Sequence, residues 1–326
     1  MRPVERTFTS CLYESEHDLH LMYDLLMQAR ALTSDWRYAH VGELAFNFFM
    51  VACHLNPQEH IRLWHAGGKL VAYAILGEDP AFDCQVFPGY EWIGIEEEAL
   101  AWAERRVDEL RQQDAERWGG ALVSGARQDD SQRIAFLERH GFRYCSDFAE
   151  VNMLRSLDEP IPEAGVMDGY QVRPVAETGE LSQRAAAHRE VWLPWTVGYV
   201  SDEDYARFMQ LPGYDRTLDI VTVTPDGVIA AYVNGWIDPL NCIGDFGPVG
   251  ALPAYRRQGL TRLALLEGLR RMKLKGMERV CVSTGVANTP AIRLYESVGF
   301  KIANRFLDYV KMEVLDYESL KLSVVI

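Results

Sequence analysis

The chain has 326 residues, 48% apolar and 25% charged, with a formal net charge of −14. That length allows two domains of ordinary size, and the acidic surplus argues against a nucleic-acid partner, which needs a basic footprint. Six scattered cysteines with no CxxC pair, no apolar run long enough to span a bilayer, and an opening "MRPVERTFTS" without an apolar core lead us to expect a cytoplasmic protein with no disulfide framework, metal site or membrane anchor.

A first strand leads into a helix over residues 16–32. Strands at 60–65 and 69–76 flank the turn "AGG", and a strand at 82–87 runs into a helix at 95–110. A strand at 121–124, a helix at 130–139 and the turn "HGFRY" into a last strand complete this half. Next comes "SLDEPIPEAGVMDGY", residues 156–170, rich in proline, glycine and acid and without periodicity, which reads as a linker. The same order of elements then recurs. "YQVRPV" is a strand, 177–192 a helix, "WLPWTVGYV" an irregular aromatic stretch and 202–210 a short helix. Strands at 218–224 and 228–236 flank the turn Pro225-Asp226-Gly227. A strand at 241–252, a helix at 259–275, a strand at 279–283, a helix at 289–298 and a closing strand pair at 301–314 follow.

A repeat of roughly 150 residues is far longer than a solenoid period and signals duplicated domains. We expect a first domain over 1–157, a linker over 158–168 and a second domain over 169–326. Two anchors fix the register: "PGYEWIGI" at 88–95 lies over "PAYRRQGL" at 253–260, and "LERHGF" at 137–142 over "YESVGF" at 295–300. The acid is concentrated in the first half, with 15 basic against 27 acidic residues over 1–160 and 18 against 20 over 161–326. Such a field attracts a cationic small molecule; a solvated acidic face is the plainer reading.

In the second copy a strand ends at Pro253 and a helix begins near Gly259. A helix start carries unpaired amides and the positive end of a dipole, which together accept phosphate. Gly259 has no Cβ to hold the backbone off, and Arg256 and Arg257 bring charge suited to pyrophosphate. An ordinary basic helix start fits the same residues. In "NTPAIRLYESVGF", Asn288 is placed to cap a helix, and Tyr295 reads either as a core tyrosine or as an acid.

At this spacing the two segments together resemble the GCN5-related N-acetyltransferase (GNAT) family, whose pattern is [RQ]-x-x-G-x-[GA], then Asn, then Tyr-x-x-x-G-F. Here the first part is Arg256-Arg257-Gln258-Gly259-Leu260-Thr261, with Thr261 where Gly or Ala is usual. The pairing of two such domains is similar to the mycothiol synthase family. The resemblance implies an α/β (α+β) fold of two tandem acyltransferase domains, each a mixed, mostly antiparallel sheet flanked by helices. It also implies acetyl-CoA as co-substrate, no metal, and a cleft where the fourth and fifth strands part.

Gly247-Pro248 supplies a reason for parting, since Pro248 cannot donate to a ladder. The cofactor-binding set implied is Val249, Gly250, Ala251, Arg256, Arg257, Gln258, Gly259, Leu260, Thr261 and Asn288, with the Val249 amide aimed at the thioester carbonyl. Asp245 is the implied base, or an acid at a wet strand edge, and Tyr295 the implied acid. Glu190, Trp192, Trp195, Tyr199 and Trp236, with Asp202 and Asp238, are the expected acceptor pocket; packing between the domains is the alternative for the tryptophans. In the first copy Glu91, Trp92 and Ile93 replace the basic triplet, Glu96 replaces Thr261 and Leu137 replaces Tyr295, so CoA binding is not expected there.

The expectation is therefore direct acetyl transfer to a small cationic amine in the second domain. A non-catalytic acyl-CoA-binding or ligand-sensing protein is the alternative; tRNA-dependent aminoacyl transfer would need a basic groove. A monomer or weak homodimer suffices.

Overall fold

A computed structural model describes residues 7–33, 37–78, 80–163, 165, 167–176 and 179–311. The chain runs through β1 (Thr9–Leu12), α1 (Glu16–Thr33), α2 (Val41–His54), α3 (Pro57–His60), β2 (Ile61–Ala66), β3 (Lys69–Leu76) and β4 (Phe82–Val86). It continues with α4 (Ile95–Gln113), α5 (Ala115–Trp118), β5 (Leu122–Arg127), α6 (Ser131–Arg139) and β6 (Arg143–Ser156). The second half comprises β7 (Gln171–Pro174), α7 (Leu181–Trp192), α8 (Asp202–Phe208), β8 (Asp219–Val223), β9 (Ile229–Asp238), β10 (Ile243–Ala251), α9 (Leu260–Leu274), β11 (Arg279–Gly285), α10 (Thr289–Ser297) and β12 (Lys301–Lys311).

These elements form two compact units. Unit 1 gathers the described residues of Met1–Ala39, Met50–Ala149 and Arg305–Val325, and unit 2 those of His40–Phe49 and Glu150–Asn304. In unit 1, β1, β2, β3 and β4 form an antiparallel meander, and a parallel bridge from Ala81 to Val123 sets β5 beside β4. Residues 306–311 of β12 then pair antiparallel with β5. α4 buries Ala99, Leu100, Ala103, Val107 and Leu110, the i, i+3, i+4 spacing of an amphipathic helix, into a core with Trp64, Phe136 and Phe142.

In unit 2 the strand order is β7, β8, β9, β10, β11 and then residues 150–156 of β6; all neighbours are antiparallel except β10 and β11. α9 buries Leu265, Leu266 and Leu269 against this sheet, each contributing about 1.5–3 kcal/mol. Gly268 allows the close approach, since a Cβ there would meet the Phe246 ring at 2.7 Å. Buried Arg155, on β6, donates to Val298 O at the end of α10 and to Pro160 O, so it anchors the helix that carries Tyr295.

The compact units therefore do not coincide with the sequence halves 1–157 and 169–326. Residues 150–156 of β6 complete unit 2, and residues 306–311 of β12 complete unit 1, because each segment finds its ladder partners there. Within the expected linker 158–168, the Pro160 and Pro162 carbonyls accept from Arg155 and Arg270, and 164 and 166 lie outside the described residues. The helix expected over 177–192 begins at Leu181, with 177 and 178 outside the described residues. In place of a closing strand pair there is one described strand, Lys301–Lys311, and 312–314 lie outside the described residues. α2 is a helix for which the sequence reading had no element.

Candidate active site

The site starts from an interruption in β10. This strand pairs in parallel with β11 at only three positions, Ile243 with Arg279, Gly244 with Val280 and Asp245 with Cys281. Past that point β10 stays with β9, from Val249 opposite Val233 to Ala251 opposite Ala231, across a register irregularity between Phe246 and Val249. β11 meanwhile continues along β6 as far as Gly285. The two strands thus fork at Asp245 and Cys281. Pro248 lies inside the irregularity, where a missing amide donor costs the ladder nothing. Trp236 Nε1 donates to Gly247 O at 2.8 Å and holds the bulge from below.

The phase of the remaining ladder shows which amides face the fork. Leu252 N donates to Ala230 O at 2.9 Å, so by antiparallel alternation the Gly250 amide also points to β9. The Val249 and Ala251 amides then point the other way, toward the fork. Gly250 has a packing role, because a Cβ there would meet Val191 of α7 at 2.6 Å.

At the end of β10 the chain turns through Pro253–Tyr255 into α9, with Gly259 as N-cap at φ 79. Arg257 is also left-handed, at φ 65. A Cβ on Gly259 would meet nothing within 4 Å, so the backbone conformation, not crowding, calls for glycine. Arg256, Arg257 and Gln258 are exposed; Arg256 Nε reaches Ala251 O at 3.3 Å and Gln258 Nε2 reaches Ala254 O at 3.3 Å. Thr261 is half-buried on the first turn, whereas the Leu260 side chain is core and only its amide belongs to the turn.

Asp245 and Tyr295 lie close enough for the Asp245 charge to act on the Tyr295 hydroxyl. Asp245 is half-buried at the root of the fork, and Cys281 Sγ lies 3.3 Å from its Oδ1. Tyr295 is 5% exposed and packs against Phe300. Burial, and after it the charge of Asp245, push the Tyr295 hydroxyl far above the ordinary tyrosine range, so it keeps its proton as a donor. Asn288 is fully engaged locally: its Oδ1 caps α10 at Ala291 N, 3.3 Å away, and its Nδ2 reaches Thr284 Oγ1 at 3.1 Å. Those contacts account for it as a cap.

The expected acceptor residues divide. Trp236 is fully buried, edge-on to Phe208 and Tyr214 at 5.6 and 6.3 Å, and offers no ring face to a ligand. Asp238 is likewise buried and accepts from the Asn241 amide at 3.1 Å, closing a turn. Trp192 and Trp195 are half-buried, Tyr199 is 60% exposed and Glu190 is exposed. Trp192 Nε1 donates to the Tyr232 hydroxyl at 2.8 Å, and Asp202 pairs with Arg189 at 2.8 Å.

Sequence reasoning missed three features of this face: Cys281, the segment His40–Phe49 and His188. His40 Nε2 reaches Ile243 O at 3.3 Å, and Gly42 packs so closely on Trp236 that a Cβ would sit 2.6 Å from the ring. A glycine and a histidine that far from the site in sequence carry no signal of it. His188 of α7 is 1% exposed, with Nε2 2.9 Å from Val197 O and Nδ1 3.2 Å from the Tyr232 hydroxyl. Burial, then the Arg184 charge, push His188 down to about 3. Its stabilising contribution is complete above the unfolded value near 6.5 and is lost as pH falls toward 3, because only the unfolded chain takes up the proton there. Urea unfolding is expected to lose about 1.4 kcal/mol per pH unit from this group as pH falls below about 6, and His188→Gln to flatten that slope. An equal slope in both proteins would contradict it.

The equivalent cleft of unit 1 is filled by its own side chains. Trp92 repeats the left-handed conformation of Arg257, at φ 60, and Gly94 that of Gly259, at φ 111. The Trp92 amide, however, donates to both oxygens of Glu96, at 2.9 and 3.0 Å. Burial pushes the Glu96 carboxyl up and these amide bonds pull it back. Arg133 spans the strands, with Nε 2.6 Å from Gly125 O on β5 and Nη1 3.3 Å from Cys84 O on β4. Ala291 holds the register position of Arg133 in unit 2. The residues of unit 2 thus fit a diphosphate and its arm; those of unit 1 do not. Cavities of about 280 Å³ beside Arg62 and Trp102 and about 190 Å³ beside Tyr170 and Leu263 include neither bend in their lining.

Among the described residues, no helix is long and apolar enough to cross a membrane, and no cluster of His, Cys, Asp and Glu suits a metal ion. Residues 185–300 match the model of the acetyltransferase (GNAT) family. A mycothiol acetyltransferase of Thermobispora bispora is 28% identical over 255 residues, 73% of this chain and 79% of that one. One from Pseudarthrobacter chlorophenolicus is 24% identical over 249 residues, 72% of each chain. Among solved structures, a GCN5-related N-acetyltransferase from Sphaerobacter thermophilus superposes with TM-score 0.62 at 20% identity, covering 93% of this chain and 95% of that one. A tandem GNAT protein from the clavulanic acid biosynthesis pathway gives 0.62 at 15% identity, covering 95% and 100%. At these identities the structures establish the fold.

Proposed function

We propose that this chain is a tandem acetyltransferase of the GNAT type, that its chemistry resides in unit 2 and that the fork between β10 and β11 receives the pantetheine arm of acetyl-CoA. The observation that carries this is the fork itself: strands part at Asp245, with the Tyr295 hydroxyl in electrostatic reach and two ladder-free amides alongside. Acetyl-CoA supplies an activated acetyl group. Its diphosphate fits the α9 amides at Gly259, Leu260 and Thr261, with Arg256 and Arg257 as counter-charges. The Val249 and Ala251 amides bind the arm as an added strand would, and the Val249 amide stabilises charge developing on the acyl oxygen.

The acceptor is a small amine. An alkyl ammonium with a pKa near 10.4 costs about 4.6 kcal/mol to deprotonate at pH 7, and Asp245 is the group placed to take that proton. Tyr295, kept protonated by burial and by Asp245, gives its proton to the leaving sulfur. Trp192, Trp195, Tyr199 and Glu190, on and after α7, offer ring faces and a carboxylate to a cation. The names of the relatives direct attention to the amine from which mycothiol is made by acetylation. Unit 1, with Glu96 and Arg133 in its cleft and Leu137 in place of Tyr295, serves as structure.

The test is release of CoA thiol from acetyl-CoA over a panel of primary amines that includes the unacetylated form of mycothiol. Turnover with at least one amine, lost in Tyr295→Phe, supports the proposal. Tight acetyl-CoA binding with no release from any amine would favour a ligand sensor instead.

A further inference from the structure

Cys281 stands opposite Asp245 in the last pair of the parallel ladder, so the two side chains share the root of the fork. It is 4% exposed, and its one thiol hydrogen has two acceptors in reach, Gly244 O at 3.2 Å and Asp245 Oδ1 at 3.3 Å. A buried thiol needs no such partners to pack, and a carboxylate at this distance disfavours the thiolate a nucleophile requires. A covalent relay through Sγ is therefore the weaker use of this geometry.

We infer that Cys281 is a positioning residue for the reaction proposed above: its thiol holds the Asp245 carboxylate at the mouth of the fork, ready to accept the amine proton. The inference rests on the reading of Asp245 as the base. In the transfer step an N–H bond of the ammonium breaks and an O–H bond forms on Asp245. The S–H bond stays intact and turns from Oδ1 to Gly244 O. Among the described residues, the titratable groups that face or flank Asp245 are Cys281 from β11, Tyr295 from α10 and, at Ile243, His40 from the segment before α2. His40 accepts from the Gly42 amide at Nδ1 and donates to Ile243 O at Nε2, the pattern of a neutral ring.

The experiment compares wild type, Cys281→Ala, Cys281→Ser and Asp245→Asn. Steady-state rates with the best amine of the panel are followed from pH 5.5 to 9, and the infrared S–H stretch of Cys281 is identified by its loss in Cys281→Ala. We expect Cys281→Ala to lower kcat about fivefold and to move the acid limb of the rate profile up by about half a pH unit. KM for acetyl-CoA should stay within about twofold, Cys281→Ser should recover most of the rate, and the S–H band should shift in Asp245→Asn. An S–H band indifferent to Asp245→Asn overturns the inference whatever the rates show. Unchanged rates and acid limb in both Cys281 variants, with Asp245→Asn inactive, also overturn it while leaving Asp245 as base. Full activity in Asp245→Asn removes the base, and the functional role of Cys281 with it.

Discussion

Asp245→Asn is expected to lower kcat for amine acetylation by about a hundredfold to ten-thousandfold at pH 7, with acetyl-CoA affinity within about twofold of wild type. The asparagine keeps the size of the side chain and its place at the fork but cannot accept the ammonium proton. The deficit should therefore shrink about tenfold per pH unit as the solution takes over deprotonation, up to the amine's own pKa near 10.4. Tyr295→Phe should show the complementary behaviour. It removes only the hydroxyl of a buried ring packed on Phe300, lowers kcat by a similar factor and does not recover at high pH, because the leaving sulfur still lacks its donor. Steady-state thiol release from pH 7 to 9.5 separates the two. An Asp245→Asn protein with wild-type kcat at pH 7 would contradict the assignment.

The second large effect concerns binding. Arg256→Glu combined with Arg257→Trp copies the Glu91-Trp92 pair of unit 1 into unit 2. Loss of two charge-assisted contacts, each about 1.5–3 kcal/mol, together with a new like charge, should raise Kd for acetyl-CoA by about a hundredfold or more. The fold should tolerate the change, since Trp92 already adopts φ 60 at the position where Arg257 has φ 65. Calorimetry with CoA reads the affinity and circular dichroism the fold. Unchanged affinity with an intact fold would remove the diphosphate from this turn.

Much of the fold could be read because its signals are local. The turn at Pro225–Gly227, the strand-to-helix bends at Gly94 and Gly259 and the two register anchors all survive in the structure. The strand exchange was not legible, because whether β6 pairs with β11 is decided by ladders between residues more than a hundred positions apart. α2 escaped because apolar residues such as Phe46, Met50 and Ala52 also fill its less buried side and dilute the helical spacing of the buried Val41, Leu44, Ala45, Phe48 and Val51.

Gly259 and Tyr295 could be picked out as candidates by the motif and Asp245 by its place ahead of Gly247-Pro248, and all three fall in unit 2. Trp236 was misread: an aromatic at a strand end looks available in sequence, whereas α2, α8 and the loop at Tyr214 cover it here. Glu96 carried less in sequence than it does in structure. Charge alone predicts that it repels a phosphate; the geometry shows its carboxylate already on the amide a phosphate would use. Cys281 had no pattern to betray it, since the role proposed for it depends on a strand partner that sequence spacing does not name.

The most direct measurement is a crystal structure of the full chain with CoA. The account predicts density for the diphosphate at the amides of Gly259, Leu260 and Thr261, and for the arm between β10 and β11 with its sulfur near Tyr295. CoA seated instead at Gly94 in unit 1, or running outside the fork of unit 2, would contradict it.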